Sequence, residues 1–153
     1  MATTRAVDTY DAQLDQYRKL GVVNELSVRE AFKTLLDERG RDLGWTLLVE
    51  KGHSRRARPD GTFVDDYKLP RGYWEAKDTR DDLETEIRAK IGRGYPLKNT
   101  IFEDTRRGVL YQDGRRVLDV DLTQRPALTG LLDAFFGYSE SQVEEFHAAV
   151  GVF

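Results

Sequence analysis

The sequence contains no cysteine and only two histidines, His53 and His147. The absence of cysteine excludes disulfides, thiolate metal sites and a cysteine nucleophile. With so little imidazole available, a metal site must be built from oxygen ligands, which favour magnesium, manganese or calcium over zinc. We expect neither histidine to be catalytic, because a lone histidine is more often a surface or packing residue.

Long apolar runs are also missing. No stretch approaches the roughly 18 apolar residues that a membrane-spanning helix needs, and the N-terminus has no signal-peptide pattern. We therefore expect a cytoplasmic protein that does not contact a membrane. The 153 residues, of which 39% are hydrophobic and 33% charged, suit one soluble domain. The net charge of -3 argues against a domain that holds nucleic acid by overall charge alone.

The first segment of the chain, residues 1–20, is polar and weakly periodic. Tyr10, Leu14 and Tyr17 share one helical face, which predicts a short amphipathic helix or a partly ordered lead-in. We expect the folded unit to span residues 21–153.

This folded unit has the pattern of a mixed α/β domain. A strong helix should begin after the N-cap residue Asn24 and end near Gly40. The Asp113-Gly114 pair between two apolar runs predicts a β-hairpin. Periodicity and turn residues predict strands at 45–52, 62–64, 72–77 and 99–104, the hairpin at 108–122, and helices at 81–93, 127–136 and 141–150.

The segment RPDGTFVDDYKLPRGYWEAKD, residues 58–78, contains the residues that suggest chemistry. Glu75 and Lys77 lie two apart in a predicted strand and should point to the same face, which leaves the Ala76 backbone carbonyl free as a further ligand. Asp60 should enter from the neighbouring strand. The residues between the two strands are expected to form the connecting loop, including Asp65, Asp66, Lys68 and Arg71.

Two carboxylates and a lysine at one point suit metal-dependent hydrolysis of a phosphodiester. A hard cation held by Asp60 and Glu75 would polarise the phosphoryl oxygen, and Lys77 would orient the attacking water. A surface Glu-Lys pair without function would give the same sequence pattern.

A third acid is predicted on the helix that precedes the strands. Glu25 falls near the apolar stripe of that helix, whereas Glu30 lies about opposite. Burial of a lone carboxylate is costly, so Glu25 should either remain in water at the helix mouth or face a metal or basic partner.

A basic run, KGHSRRAR, comes just before Asp60. Its charged residues are the best candidates for contacts with DNA phosphates, although such runs are often only solvated loops. The candidates are Lys51, Arg55, Arg56 and Arg58.

Asp60, Glu75, Lys77 and the helix acid together resemble the PD-(D/E)xK nuclease pattern. The stretches RPDG, GYWEAKD, DDLETEI and NTIFEDTRRGVLYQDGRRV are similar to the N-terminal nuclease domain of Type ISP single-chain restriction-modification enzymes. The similarity covers roughly residues 22–122. Many members of this family carry the helix acid nearer the double leucine, where Glu30 lies, while the helix geometry here favours Glu25.

The resemblance implies a restriction-endonuclease-like fold, in which helices flank a mixed central sheet. It also implies a Mg²⁺-dependent endodeoxyribonuclease, with Mn²⁺ as a substitute, that cleaves double-stranded DNA in restriction or phage defence. Asp60, Glu75, the Ala76 carbonyl and Glu25 would be the metal ligands, and Lys77 would complete the catalytic set. Helicase, methyltransferase and target-recognition domains would lie on the same, larger polypeptide, and two nuclease domains would meet transiently to cut both strands.

A second hypothesis is a catalytically silent nuclease-like domain that binds DNA or acts as a scaffold. The sequence favours the active nuclease, because an inactive domain has no physical reason to keep two acids and a lysine in this arrangement.

Overall fold

The computed structural model describes residues 2–21, 25–49, 59–78 and 82–139. The elements within these ranges follow the predicted order, beginning with a helix in the N-terminal segment. The helices are α1 (Ala2–Lys19), α2 (Glu25–Arg41), α3 (Leu83–Gly92) and α4 (Arg125–Phe136). The strands are β1 (Thr46–Val49), β2 (Gly61–Val64), β3 (Pro70–Ala76), β4 (Asn99–Glu103), β5 (Arg107–Gln112) and β6 (Arg115–Asp121). The helix predicted at 141–150 lies outside the described residues.

The six strands form one sheet in sequence order. All neighbouring pairs are antiparallel except β3 and β4, which are parallel. A parallel pair needs a crossover connection, and α3 provides it between these two strands. The mixed sheet flanked by helices that the sequence predicts is thus confirmed.

Two apolar clusters cover the two faces of the sheet. The larger one contains buried side chains from α1, α2 and α4 together with one face of the strands, including Trp74 and Ile101. The smaller one packs α3 against the opposite face through Ile87, Phe102 and Val109. Neighbouring residues of one strand therefore point into different clusters, as the alternation of side chains along a strand requires.

Helix α1 belongs to the larger cluster. Ala6, Val7 and Tyr10 are buried there, and the Tyr10 ring packs edge-on against Phe32 of α2 with 5.9 Å between centroids. The sequence correctly indicates an amphipathic helix, and the structure shows that its apolar face is part of the core. Burial of this kind is a tertiary contact that a weakly periodic segment does not reveal by itself.

The connection between β2 and β3 is shorter than the loop predicted from the sequence. Asp65 accepts hydrogen bonds from the backbone N–H groups of Tyr67 and Leu69, and Lys68 adopts a positive φ of 64°. Arg71, which the sequence assigns to the loop, instead lies in β3, where its guanidinium is 5.2 Å from the centroid of the Trp45 ring. The apolar stems of such cations pack well on aromatic faces, so a charged residue can extend a strand.

None of the helices in the described ranges combines the length and the apolarity needed to cross a membrane.

Candidate active site

The β2–β3 hairpin brings Asp60 to the end of β3. Gly61 pairs with Trp74, and continuing this register by one residue places Asp60 opposite Glu75. The Asp60 Oδ2 atom accepts a hydrogen bond of 2.9 Å from the backbone N–H of Ala76. A side chain on Gly61 would approach Trp74 and Leu47 to less than 3 Å, so the glycine after Asp60 permits the close packing of this strand end.

Glu75 lies on the α3 side of the sheet and is almost fully buried, with 2% of its surface exposed. The Tyr95 hydroxyl donates a hydrogen bond of 3.2 Å to its Oε2 atom. Burial, together with the nearby Asp60 carboxylate, raises the pKa of Glu75 to about 7, against the opposing effect of Lys77 and Lys90. A carboxyl group with this surrounding would gain from a bound cation, which would stabilise its ionised form.

Lys77 follows the end of β3 and continues its pairing with β4, since its backbone N–H donates to the Glu103 carbonyl at 2.8 Å. Its ammonium lies 3.3 Å from the Glu86 Oε2 atom of α3, and 18% of the side chain is exposed. Asp60, Glu75 and Lys77 thus lie close together at the end of β3.

Helix α3 and the segment after it add three side chains that the sequence did not single out, Lys90 and Glu86 from the helix and Tyr95 from the segment that follows. The Lys90 ammonium lies 3.9 Å from the Glu75 Oε2 atom and 5.1 Å from the centroid of the Tyr95 ring. Glu86 pairs with Lys77, as described above. A signal for Lys90 existed in the sequence, because it lies seven residues beyond Leu83 and three beyond Ile87 on one helical stripe, and those two are buried.

A group of ion pairs connects α3 to strands β5 and β6 of the sheet. Glu84 accepts hydrogen bonds from Arg116 at 2.5 and 2.9 Å and from Arg107 at 2.5 Å. These hydrogen bonds, first from Arg116 and then from Arg107, lower the pKa of Glu84 to about 2. The carboxylate is thus ionised at neutral pH and joins the helix that bears Lys90 to β5 and β6.

Glu103 is the other fully buried acid near this strand end, but it points to the opposite face. Its Oε1 atom accepts a hydrogen bond of 2.9 Å from Trp74 Nε1, and its Oε2 atom one of 2.6 Å from the Thr105 N–H. Burial raises the pKa of Glu103 to about 7, despite these two hydrogen bonds. Its side chain is therefore separated by the sheet from that of Glu75.

The remaining predicted residues are not brought to the site by the described structure. Glu25 is the first residue of α2, but its side chain lies outside the described part. Glu30 is exposed and its carboxylate lies 3.6 Å from the ammonium of Lys33. The basic run also lies outside the described residues, including Lys51, Arg55, Arg56 and Arg58.

The described oxygen atoms fit a hard divalent cation only in part. Within residues 59–78 and the other described ranges, no group of three or more acidic or histidine side chains is placed to hold a metal. Besides the Asp60 and Glu75 carboxylates, the Ala76 backbone carbonyl is a candidate metal ligand. The N–H and C=O of a strand residue point toward the same neighbouring strand. The Ala76 N–H donates to Asp60, so the Ala76 carbonyl also faces the segment that contains Asp60. The residue opposite Ala76 in this register is Pro59, which has no N–H to donate to that carbonyl. Mg²⁺ suits such a site because it keeps several of its waters.

Comparison with known proteins finds similarity among solved structures. No protein-family model matches the chain, and neither does any curated protein. Among solved structures, the cryo-EM structure of a DrdV–DNA complex is similar, with 41% sequence identity and a TM-score of 0.80. The likeness covers 96% of this chain and 15% of that one, so the chain spans only a small part of its neighbour's length. The fold is the restriction-endonuclease-like arrangement that the sequence predicts.

Proposed function

We propose that this chain is a Mg²⁺-dependent DNA endonuclease module of the PD-(D/E)xK kind. The observation that carries the proposal is the meeting of Asp60, Glu75 and Lys77 at one strand end. The likeness to a protein solved in complex with DNA supports double-stranded DNA as the substrate. A separate group of nucleophilic residues is not required, because the attacking group in metal-assisted hydrolysis is water.

The roles of the residues follow from their positions. Asp60, Glu75 and the Ala76 carbonyl would hold the metal ion, and Glu25 remains the candidate for a further ligand. When bound, the ion would polarise the phosphoryl oxygen and lower the pKa of a coordinated water. Lys77 would orient that water and stabilise the negative charge that develops on the phosphate. The pair that Lys77 forms with Glu86 holds its ammonium near the two carboxylates.

The size of the neighbour bears on the biological setting. Since the chain corresponds to 15% of that protein, we infer that it is the nuclease part of a longer restriction or phage-defence polypeptide. Helicase, methyltransferase and target-recognition domains would then select the DNA, because contacts to the phosphate backbone carry no sequence information. Cutting of both strands would need a second nuclease domain in a transient dimer.

The test is cleavage of supercoiled plasmid DNA with Mg²⁺ and with a chelator. Asp60→Asn keeps an oxygen that can accept the Ala76 N–H, and Lys77→Gln keeps most of its length, so both variants should melt within a few degrees of the wild type. Cleavage should fall by at least about 100-fold in each, the scale of losing a group that stabilises the transition state. Asp66→Asn and Lys98→Gln, both at exposed positions, are the matched controls and should cut normally.

Equal cleavage by the wild type and both site variants would contradict the proposal. If the wild type binds DNA but neither cuts it nor binds Mg²⁺, the chain is the catalytically silent DNA-binding domain instead. If the wild type binds Mg²⁺ and Asp60→Asn does not, the proposed metal site stands, even when the chain cuts DNA only together with its partner domains.

A further inference from the structure

Arg93 is an exposed cation beside the candidate active site, and the function proposed above does not use it. It is the C-cap residue of α3, and its charge acts on the Lys90 ammonium and on the Tyr95 hydroxyl. Those two groups lie 3.9 Å and 3.2 Å from the Glu75 Oε2 atom. Arg93 is therefore a direct neighbour of groups that contact the buried carboxyl of the site.

The two lysines nearer the carboxylates already have acidic partners. The Lys77 ammonium lies 3.3 Å from Glu86, the Lys90 ammonium lies 3.9 Å from Glu75, and both side chains are mostly buried. Arg93 differs from them, because no carboxylate of the described residues lies within ion-pair distance of its guanidinium. An exposed guanidinium that neighbours another cation and has no acid of its own creates a positive potential, which attracts an anion.

The backbone around Arg93 leaves room for a large anion. Gly92 and Gly94 flank the residue, and a Cβ atom added to either glycine would have no packed neighbour within 4 Å. Gly94 adopts a positive φ of 85°, which turns the chain directly after the helix. The Arg93 side chain thus extends from a narrow, exposed turn that a polymer backbone can approach.

We propose that Arg93 binds a phosphate of the DNA backbone next to the scissile phosphate. This inference rests on the proposed function, because it takes double-stranded DNA as the substrate. A guanidinium binds phosphate oxygens through two parallel hydrogen bonds. Since Arg93 neighbours Lys90 and Tyr95 rather than the carboxylates, the phosphate that it holds is beside the reacting one. Such a contact fixes the position of the duplex on the site and carries no sequence information.

Equilibrium binding of two DNA duplexes of unrelated sequence tests the inference, with a chelator present so that neither is cut. Arg93→Gln should weaken binding about 3–10-fold at 0.1 M salt, equally for both duplexes, and should reduce the slope of log K against log salt by about 1. Arg93→Lys keeps the charge and should keep the slope. All variants should melt close to the wild type, because the side chain is exposed.

Arg115→Gln is the matched control. Arg115 is also exposed and has no acidic partner among the described residues, but it begins β6 at the edge of the sheet opposite to the candidate active site. This variant should bind both duplexes as the wild type does.

Cleavage kinetics separate a binding role from a catalytic one. Arg93→Gln should raise KM by about the factor seen in binding and leave kcat nearly unchanged, because the contact is the same in the ground state and in the transition state. A lower kcat at unchanged KM would contradict the assignment.

Unchanged affinity and salt slope in Arg93→Gln, or an equal loss in Arg115→Gln, would overturn the inference. Arg93→Ala gives the same comparison if the glutamine variant does not fold. A wild type that binds DNA through Arg93 but does not cut it with Mg²⁺ would support the inference and overturn the proposed nuclease activity, so the two failures are distinguishable.

Discussion

Glu75 and Glu103 are both buried carboxyl groups on neighbouring strands, and their surroundings differ. Glu75 faces a second carboxylate and two lysines, whereas Glu103 accepts hydrogen bonds from Trp74 and from the Thr105 N–H. On the Glu75 side of the sheet, a bound cation could balance the negative charges of the Glu75 and Asp60 carboxylates. The Glu103 side is satisfied by protein groups alone, so we assign Glu103 to the support of the strand end.

The raised pKa of Glu103 predicts how stability varies with pH. Below about pH 4.5 the group is protonated in both the folded and the unfolded chain. As the pH rises toward about 7, the unfolded chain loses the proton while the folded chain keeps it, so the free energy of unfolding falls across this window and levels off above it. At about 1.4 kcal/mol per pKa unit, the rise from 4.5 to about 7 corresponds to a loss on the order of 3 kcal/mol from this group.

Glu103→Gln should remove this component of the pH dependence. Urea unfolding at a series of pH values should show a shallower fall for the variant between about pH 4.5 and 7. The variant should also be less stable at low pH by about 1–3 kcal/mol. The new NH₂ group would stand where Glu103 Oε2 accepts from the Thr105 N–H, so this N–H would lose its acceptor. Parallel pH profiles for the two proteins would show that Glu103 titrates normally in the folded state.

At this scale the sequence indicates the two carboxylates and Lys77 through their spacing alone. Side-chain alternation in a strand is a local property, so the shared face of Glu75 and Lys77 follows from two residues of separation. The contribution of Lys90 and Tyr95 depends on where α3 crosses the sheet. That crossing is set by contacts such as those of Glu84 with β5 and β6, which no local pattern encodes.

Strand β3 packs closely against α4 and β4 at Gly72. A Cβ atom added there would lie 2.5 Å from the Phe135 ring of α4 and 3.0 Å from the Asn99 amide nitrogen. The Asn99 amide in turn donates to the backbone carbonyls of Arg71 and Phe135. The end of α4 is therefore held against the strand that carries Glu75.

Two glycine-to-alanine substitutions should have opposite effects on stability. Gly72→Ala should destabilise the fold by about 1–3 kcal/mol, because the added methyl group forces the Phe135 ring to move. Gly130→Ala, in the exposed part of α4 with open space around it, should stabilise by about 0.5–1 kcal/mol through the higher helix propensity of alanine. Chemical denaturation of both variants checks the signs, and a stable Gly72→Ala would contradict the packing described here.

Most elements were predictable because their signals are local. Helix α2 begins at Glu25, directly after the position predicted as its start, and the Asp113-Gly114 turn has positive φ angles of 53° and 79° that suit the predicted hairpin. The extension of β3 to Pro70 and Arg71 was not predictable, since it depends on the contact of Arg71 with Trp45.

At the scale of the whole molecule, α1 joins the rest of the fold by its apolar face and by ion pairs at its surface. Ala6, Val7 and Tyr10 enter the larger cluster. Arg125 at the start of α4 pairs with Asp8 and Asp11 at 2.5 and 2.6 Å. The segment that the sequence separates as a lead-in is thus continuous with the core.

Removal of residues 1–20 should leave a chain that does not fold cooperatively. Each large apolar side chain lost from a core costs about 1.5–3 kcal/mol, and the partners of α1 would be exposed, within a total stability of about 5–15 kcal/mol. Thermal unfolding followed by circular dichroism should show a broad or absent transition. Arg125→Gln, which breaks only the exposed ion pairs, should melt close to the wild type, and a sharp transition in the shortened chain would restore the lead-in interpretation.

The sequence by itself determined the candidate ligands for a cation that prefers oxygen, the spacing that puts Glu75 and Lys77 on one face, and the mixed α/β order of the elements. These depend on residue type and on separations of a few positions. Only the tertiary structure decided that Asp60 contacts the end of β3, that Glu75 is buried with a raised pKa, and that Lys90 faces it. Those features arise from strand pairing and helix crossing between residues distant in sequence, where packing and desolvation set the geometry.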